Sequence, residues 1–204
     1  MSHKILKGFA AALLVTALAA PALAADGPTA SLDPRVKFKD GERMLRDLST
    51  SLDIPRDKVC LELSQYDCVN EAFRIVLGGV DAEYLGINEP LAEQALTAPI
   101  AVDRVALHVC TTRVAMDLAE PAKAVLLKGA PAKGKPNAAW MRKTTQSVYG
   151  TILSREPSKS ETSQLASFYN TVAKDGGKAN PNAVKDWVTL SCFAVASSLE
   201  NVFY

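Results

Sequence analysis

From Asp40 onward, apolar positions recur at intervals of three and four, the spacing of a helix with one buried face. Met44, Leu45, Leu48 and Leu52 form the first stripe, with Asp40 placed to cap it and Ile54-Pro55 to end it. A second helix is predicted after Asp67. It carries Val69, Ala72, Phe73, Val76 and Leu77 on one face and stops at Gly78-Gly79. A third opens at Pro99 and runs to about Leu118, ahead of Pro121. Its polar ridge is Arg104, His108, Thr111 and Thr112. The rest is mostly apolar, which predicts a central core helix. Ala138 to Leu153 is a fourth, with Trp140, Val148 and Ile152 as apolar contacts. Ser158 and Glu161 make a capping box for a fifth, which runs to about Ala173 with Leu165, Phe168 and Val172 inward and ends at Asp175-Gly176-Gly177. The last is expected to be capped by Asn180, with Pro181 at its first position. Its buried stripe is Val184, Trp187, Val188, Ser191, Cys192, Val195 and Leu199. Phe203-Tyr204 is expected to pack down as an aromatic tail. Strand alternation is nowhere comparably clear, and no repeat is visible. The fold class is therefore all-α, about six helices in an irregular bundle with long loops.

Between these helices, residues 80–97 form a long connection containing Asp81, Glu83, Tyr84, Asn88 and Glu89. Such a loop is a candidate for binding. The plainer reading is a packed surface loop pinned by Tyr84, Leu85 and Ile87. Residues 128–137, rich in Gly, Pro and Lys, read as a flexible break within one helical domain spanning 37–204. Residues 25–36 read as an extended segment.

Residues 1–24 have a different pattern. Lys4 and Lys7 precede an uncharged apolar run from Phe9 to Ala20, Pro21 breaks it, and Ala22-Leu23-Ala24 supplies a small-x-small cleavage pattern. These features predict a secretory signal peptide cut between Ala24 and Ala25, hence a periplasmic or secreted protein with no membrane association after the leader is removed. The apolar run is shorter than the roughly 20 residues of a spanning helix.

That compartment changes the reading of the cysteines. There are four, Cys60, Cys68, Cys110 and Cys192, an even number that favours two disulfides in an oxidising environment. Three pairings exist. Cys60–Cys68 closing a short polar loop, with Cys110–Cys192 joining two core helices, is preferred. Separate buried thiols at 110 and 192 are the alternative. No C-x-x-C is present for thioredoxin-like chemistry and no C-x-x-C-H for covalent haem attachment. Charge is nearly balanced: without Lys4 and Lys7, 21 basic residues face 22 acidic ones. No basic run is long enough for a nucleic-acid footprint, so nucleic acid is not an expected partner.

Candidate chemistry is sparse. His108 is the one histidine after the leader, so a catalytic triad would have to use it, yet no G-x-S-x-G elbow accompanies it. A hydrolase would draw carboxylates from the 80–103 region, Glu83, Glu89 and Asp103, toward His108. No metal site is predicted, because H-x-C at 108–110 is not by itself a zinc spacing. No cofactor is predicted either. A haem carrier would need His108 and Met116, which lie on one helix. Arg113 and Asp117 have i,i+4 spacing and read as structural support. LGGVDAEYLG lacks the lysine and spacing of a phosphate loop.

The last fifty residues carry an R-x-P-[ST]-x-x-E turn, then a tyrosine, then a Trp-led helix ending in an acidic, aromatic tail. The positions are Arg155, Pro157, Ser158, Glu161, Tyr169, Trp187, Glu200 and Phe203. This quarter of the chain resembles the two-helix ending of large secreted bacterial proteins of unknown function that carry cytochrome-like modules. The middle of the chain resembles small uncharacterised exported bacterial proteins. The resemblance implies a packing unit and no catalytic role. The expected function is that of an exported noncatalytic helical domain that binds a protein partner, as an accessory to a larger secreted or periplasmic assembly. The alternatives are the hydrolase and the ligand or haem carrier.

Overall fold

A computed structural model describes residues 37–91, 95–131, 135–175 and 177–204. The predicted leader with its Ala24–Ala25 cleavage point, the 25–36 segment and residues 132–134 of the predicted flexible break lie outside the described residues. Six α-helices are present among them: α1 (Gly41–Ser51), α2 (Ala98–Ala119), α3 (Ala138–Leu153), α4 (Lys159–Val172), α5 (Ala183–Ala196) and α6 (Leu199–Val202). Two small antiparallel hairpins accompany them. β1 (Leu61–Glu62) pairs with β2 (Tyr66–Asp67), and β3 (Lys174–Asp175) pairs with β4 (Lys178–Ala179). The fold is mostly helical, as the periodicity requires.

α2 and α5 form the axis of the bundle. Ala101, Val102, Val105, Ala106, Val109 and Val114 of α2 are buried, as are Trp187, Val188, Val195 and Ala196 of α5. The Cys110–Cys192 disulfide joins the two helices, with 5.8 Å between Cα atoms. α3 and α4 close over α5. Trp187 is fully buried between the rings of Trp140 (5.8 Å) and Tyr169 (6.3 Å), and its indole N–H donates to the Leu165 carbonyl at 2.7 Å. That bond satisfies the polar edge of a ring otherwise in apolar surroundings.

α1 begins where expected. The Asp40 carboxylate accepts from the Arg43 N–H at 2.8 Å, and Met44, Leu45 and Leu48 are buried. Gly41 sits against the 68–77 segment. A Cβ there would lie 2.8 Å from Val69 Cγ1 and 2.9 Å from Leu77 Cβ, so glycine permits the close approach. The Gly41 N–H donates to the Leu77 carbonyl.

A buried ion pair ties the C-terminal end of α2 to two connections. Arg113 and Asp117 lie 2.8 Å apart. The guanidinium donates to the Leu52 and Asp53 carbonyls after α1, and the carboxylate accepts the N–H groups of Val125, Leu126 and Leu127. The pair supports structure, as its spacing suggested, but it does so in the core, by holding backbone that no helix satisfies.

Four expectations are corrected. The helix predicted over 69–77 is a single wide turn, Cys68–Ala72, followed by irregular turns. Asp67 does cap that turn, accepting from Val69 and Asn70. It does not propagate: the Arg74 side chain donates to the Asn70 carbonyl, which the next helical N–H would have used, while the Leu77 carbonyl at the far end accepts from Gly41 of α1. Second, α5 starts at Ala183. The Asn180 carboxamide instead accepts the Asn182 N–H and donates to Val172 and Asp186. Third, Leu199 opens the separate α6 and is exposed. Fourth, Tyr84 and Leu85 do not pin their loop; both point into solvent, and the loop is held by mutual backbone hydrogen bonds between Asp81 and Ile87.

The tail does pack down. Lys37 and Tyr204 exchange backbone hydrogen bonds, and the rings of Phe38 and Phe203 meet edge to face at 5.7 Å. Behind it, Arg155 clamps both Glu161 and Glu200 and lies over the Tyr149 ring, joining the ends of α3, α4 and α6. The capping box of α4 is complete, with Ser158 and Glu161 each accepting the other's backbone N–H. The residues behind the C-terminal resemblance thus serve as caps, an ion-pair clamp and core contacts.

Candidate functional site

The best candidate site lies where the β1–β2 hairpin meets α2. The hairpin is closed at its base by the Cys60–Cys68 disulfide (Cα–Cα 5.5 Å), and both cysteines are buried. Its turn runs through Leu63 and Ser64, which both have positive φ (52° and 60°), with the Gln65 N–H returning to the Glu62 carbonyl. Tight hairpin turns of this geometry favour Asn-Gly, because a side chain bearing a Cβ strains there by about 1 kcal/mol or more per residue. Here the first of the two is a leucine, 79% exposed at the tip. Strained, solvent-exposed apolar residues are uneconomical for folding alone.

Two contacts seat the hairpin on α2. Arg104 donates to both carboxylate oxygens of Glu62, at 2.8 and 2.7 Å. That hydrogen-bonded pairing holds the Glu62 carboxyl below its usual range and Arg104 above its own. One turn further, His108 Nε2 accepts the Leu61 N–H at 3.3 Å. The ring is therefore neutral, with its proton on Nδ1. Partial burial lowers the His108 pKa, with the Glu62 charge opposing.

Beside these contacts is an open apolar hollow of about 530 Å³, lined by Leu63, Tyr66, Ala72, Phe73 and the Glu62–Arg104 pair, with Glu71 on its rim. The outward face of α2, which gives Arg104 to this hollow, exposes further apolar side chains. Leu96 just before the helix is 100% exposed, and Ile100, Leu107 and Leu118 are 62%, 43% and 53% exposed. At about 100° per residue, Ile100, Leu107, Thr111 and Leu118 fall within about 40° of one another on the helix surface. Thr111 is the one polar member of that row, and large apolar side chains on a helix are ordinarily covered by a neighbour. α2 is covered by α5, by α1 and by the hairpin, while Ile100, Leu107 and Leu118 stay exposed.

The sequence-predicted candidates are not gathered into one cleft. His108 is half-buried under the hairpin, Asp103 is exposed on α2 beside the stripe, and Glu83 and Glu89 are exposed in the 80–91 loop. None of the four lines any of the five described surface hollows. His108 and Met116 address different surroundings: the first meets the hairpin, while the second lines a hollow between the end of α1 and Lys123. Among the described residues, no group of three or more His, Cys, Asp or Glu side chains could hold a metal ion, and no helix is long and apolar enough to cross a membrane.

The residues that sequence reasoning missed are Glu62, Leu63, Tyr66, Phe73, Ile100 and Leu107. Their signal was an excess: Ile100, Leu107 and Leu118 of α2 stay exposed although α5, α1 and the hairpin pack against the helix. No known protein family, characterised protein or solved structure matches the chain.

Proposed function

We propose that the chain is exported, and that its mature part is a noncatalytic helical domain that binds a protein partner through the open face of α2 and the adjoining cystine hairpin. The observation that carries this reading is the exposed apolar stripe, Ile100, Leu107 and Leu118, beside a leucine held in a strained conformation at the hairpin tip. Several large apolar side chains exposed along one helix face are a mark of interaction sites in folded proteins. The leader pattern and the two disulfides support a destination in the periplasm or beyond it. Work as an accessory in a larger exported assembly fits such a surface.

The test places a photoreactive residue at Leu107 in the producing host, with Ser163 on the exposed side of α4 as control. Illumination should give a discrete adduct from position 107 that is absent from 163 and lost when Ile100 is replaced by Asp. The same adducts from both positions, or none from 107, would refute the proposal.

A further inference from the structure

We infer that the occupant of this face is a cationic amphipathic helix of the partner, a conclusion that rests on the docking reading above and sharpens it. Between Val59 and Thr112 the chain has no lysine and two arginines, Arg74 and Arg104, against eight acidic residues. From Arg113 to the end the balance reverses, with twelve basic residues and seven acidic ones. The charge of the protein is therefore polarised along its sequence, and the apolar face belongs largely to the acidic part.

Both arginines of that part are already engaged. Arg104 is held by Glu62, and Arg74 lies 3.6 Å from Asp81. Glu71 on the rim of the hollow and Asp103 between Ile100 and Leu107 form no salt bridge among the described residues. Glu83 and Glu89, exposed in the loop that Arg74 ties down, add to the same sign. Lys185 shares a hollow with Leu118 at the far end of the strip, but around Ile100, Leu107 and the hairpin hollow the carboxylates of Asp103 and Glu71 repel phosphate-bearing surfaces, which disfavours nucleic acid and anionic lipid there. The same surroundings favour a partner that is apolar along one line and cationic beside it.

The shape of the strip argues for a helix. Ile100 to Leu118 covers about 27 Å of helix axis, five turns, along a straight row of side chains. A second helix of roughly 18 residues can pack its own row alongside this one with ordinary ridge packing, as amphipathic helices do when bound. Leu63 and Tyr66 at the hairpin would flank it on one side. Its lysines or arginines would then reach Glu71 and Asp103.

The test uses two fluorescent 18-residue peptides with the same leucine stripe, one with lysine on the polar positions and one with glutamate. Binding to the oxidised full-length mature chain is followed by anisotropy. The lysine peptide should bind at least about ten-fold tighter than the glutamate peptide, and raising salt from about 50 to about 500 mM should shrink that ratio. Asp103→Lys combined with Glu71→Gln, which keeps an acceptor for the Asp67 N–H, should remove most of the preference. Leu107→Asp should abolish binding of both. Equal affinity for the two peptides overturns the cationic assignment while leaving the docking face intact. Lysine-peptide binding that survives Leu107→Asp, or no binding of either peptide, also overturns it. The Leu107 adduct in the host independently decides whether the docking reading itself stands.

Discussion

Around Trp187 the large rings are enclosed: Trp140 and Tyr169 pack on the indole, its N–H has a carbonyl, and the Arg155 clamp lies over Tyr149 at the rim. Around the Cys60–Cys68 hairpin the same classes of residue stand in water. Leu63, Tyr66, Ile100 and Leu107 are exposed, and the backbone beneath two turn residues is left-handed. Both regions are anchored by a disulfide, so the difference is not one of available crosslinks. In the first region sulfur and aromatic packing stabilise a core. In the second the disulfide holds an unfavourable turn in place. The contrast separates surface used to fold the chain from surface left over after folding.

The largest expected effect falls on the enclosed region. Replacing Cys110 and Cys192 together by Ala opens an 82-residue separation. Chain-entropy arguments put the loss at about 4–5 kcal/mol, visible as a lower denaturation midpoint in urea. A midpoint within experimental error of the parent would mean that α2 and α5 are held by packing alone. Gly41→Ala should cost less, about 1–3 kcal/mol, because the new Cβ meets Val69 and Leu77 inside 3 Å. A neutral Gly41→Ala would show that the 68–77 turns yield easily.

At the hairpin the sign reverses. Leu63→Gly should stabilise the chain by about 1 kcal/mol by relieving the left-handed strain, while weakening binding at the α2 face. Thermal melts and the Leu107 adduct read the two effects separately. A variant that is both destabilised and fully competent to bind would break the contrast drawn above.

The clamp at the other end is read by acid. Hydrogen bonds from Arg155, then from the Ser158 backbone, hold the Glu161 carboxyl at about 2, below its ordinary 4.5. A depressed carboxylate stabilises the fold fully above about pH 4.5, and that contribution is lost as pH falls through about 2. Arg155→Met should therefore move the acid-unfolding limb to higher pH by circular dichroism. An unmoved limb would mean that the clamp is too well solvated to matter.

Much of the enclosed region was legible because its signals are local. Asp40, the Ser158–Glu161 box and the stripes of α2 to α5 lie within a few residues of what they determine. The hairpin was not, since Leu63-Ser64 carries none of the Asn-Gly signature of its turn, and the Cys60–Cys68 bond closes it from outside the turn. The failed helix at 69–77 has the right periodicity, but the Asn70 carbonyl that would continue it is taken by the Arg74 side chain. Periodicity also made α2 a core helix without saying how many neighbours it would have. It identifies apolar positions, whereas an open face depends on what is absent around them.

The smallest stability effect carries the most functional information. Leu107→Gln changes a side chain already 43% exposed, so unfolding should shift by no more than about 0.5 kcal/mol. If the open face were merely tolerated surface, nothing else would change. If it is a docking face, the same substitution removes a contact from the centre of the strip and adduct formation through a photoreactive residue at Ile100 should fall sharply. A protein as stable as the parent and deaf to its partner separates the two roles of apolar surface in this chain. Equal loss of stability and binding would instead place Leu107 with the core.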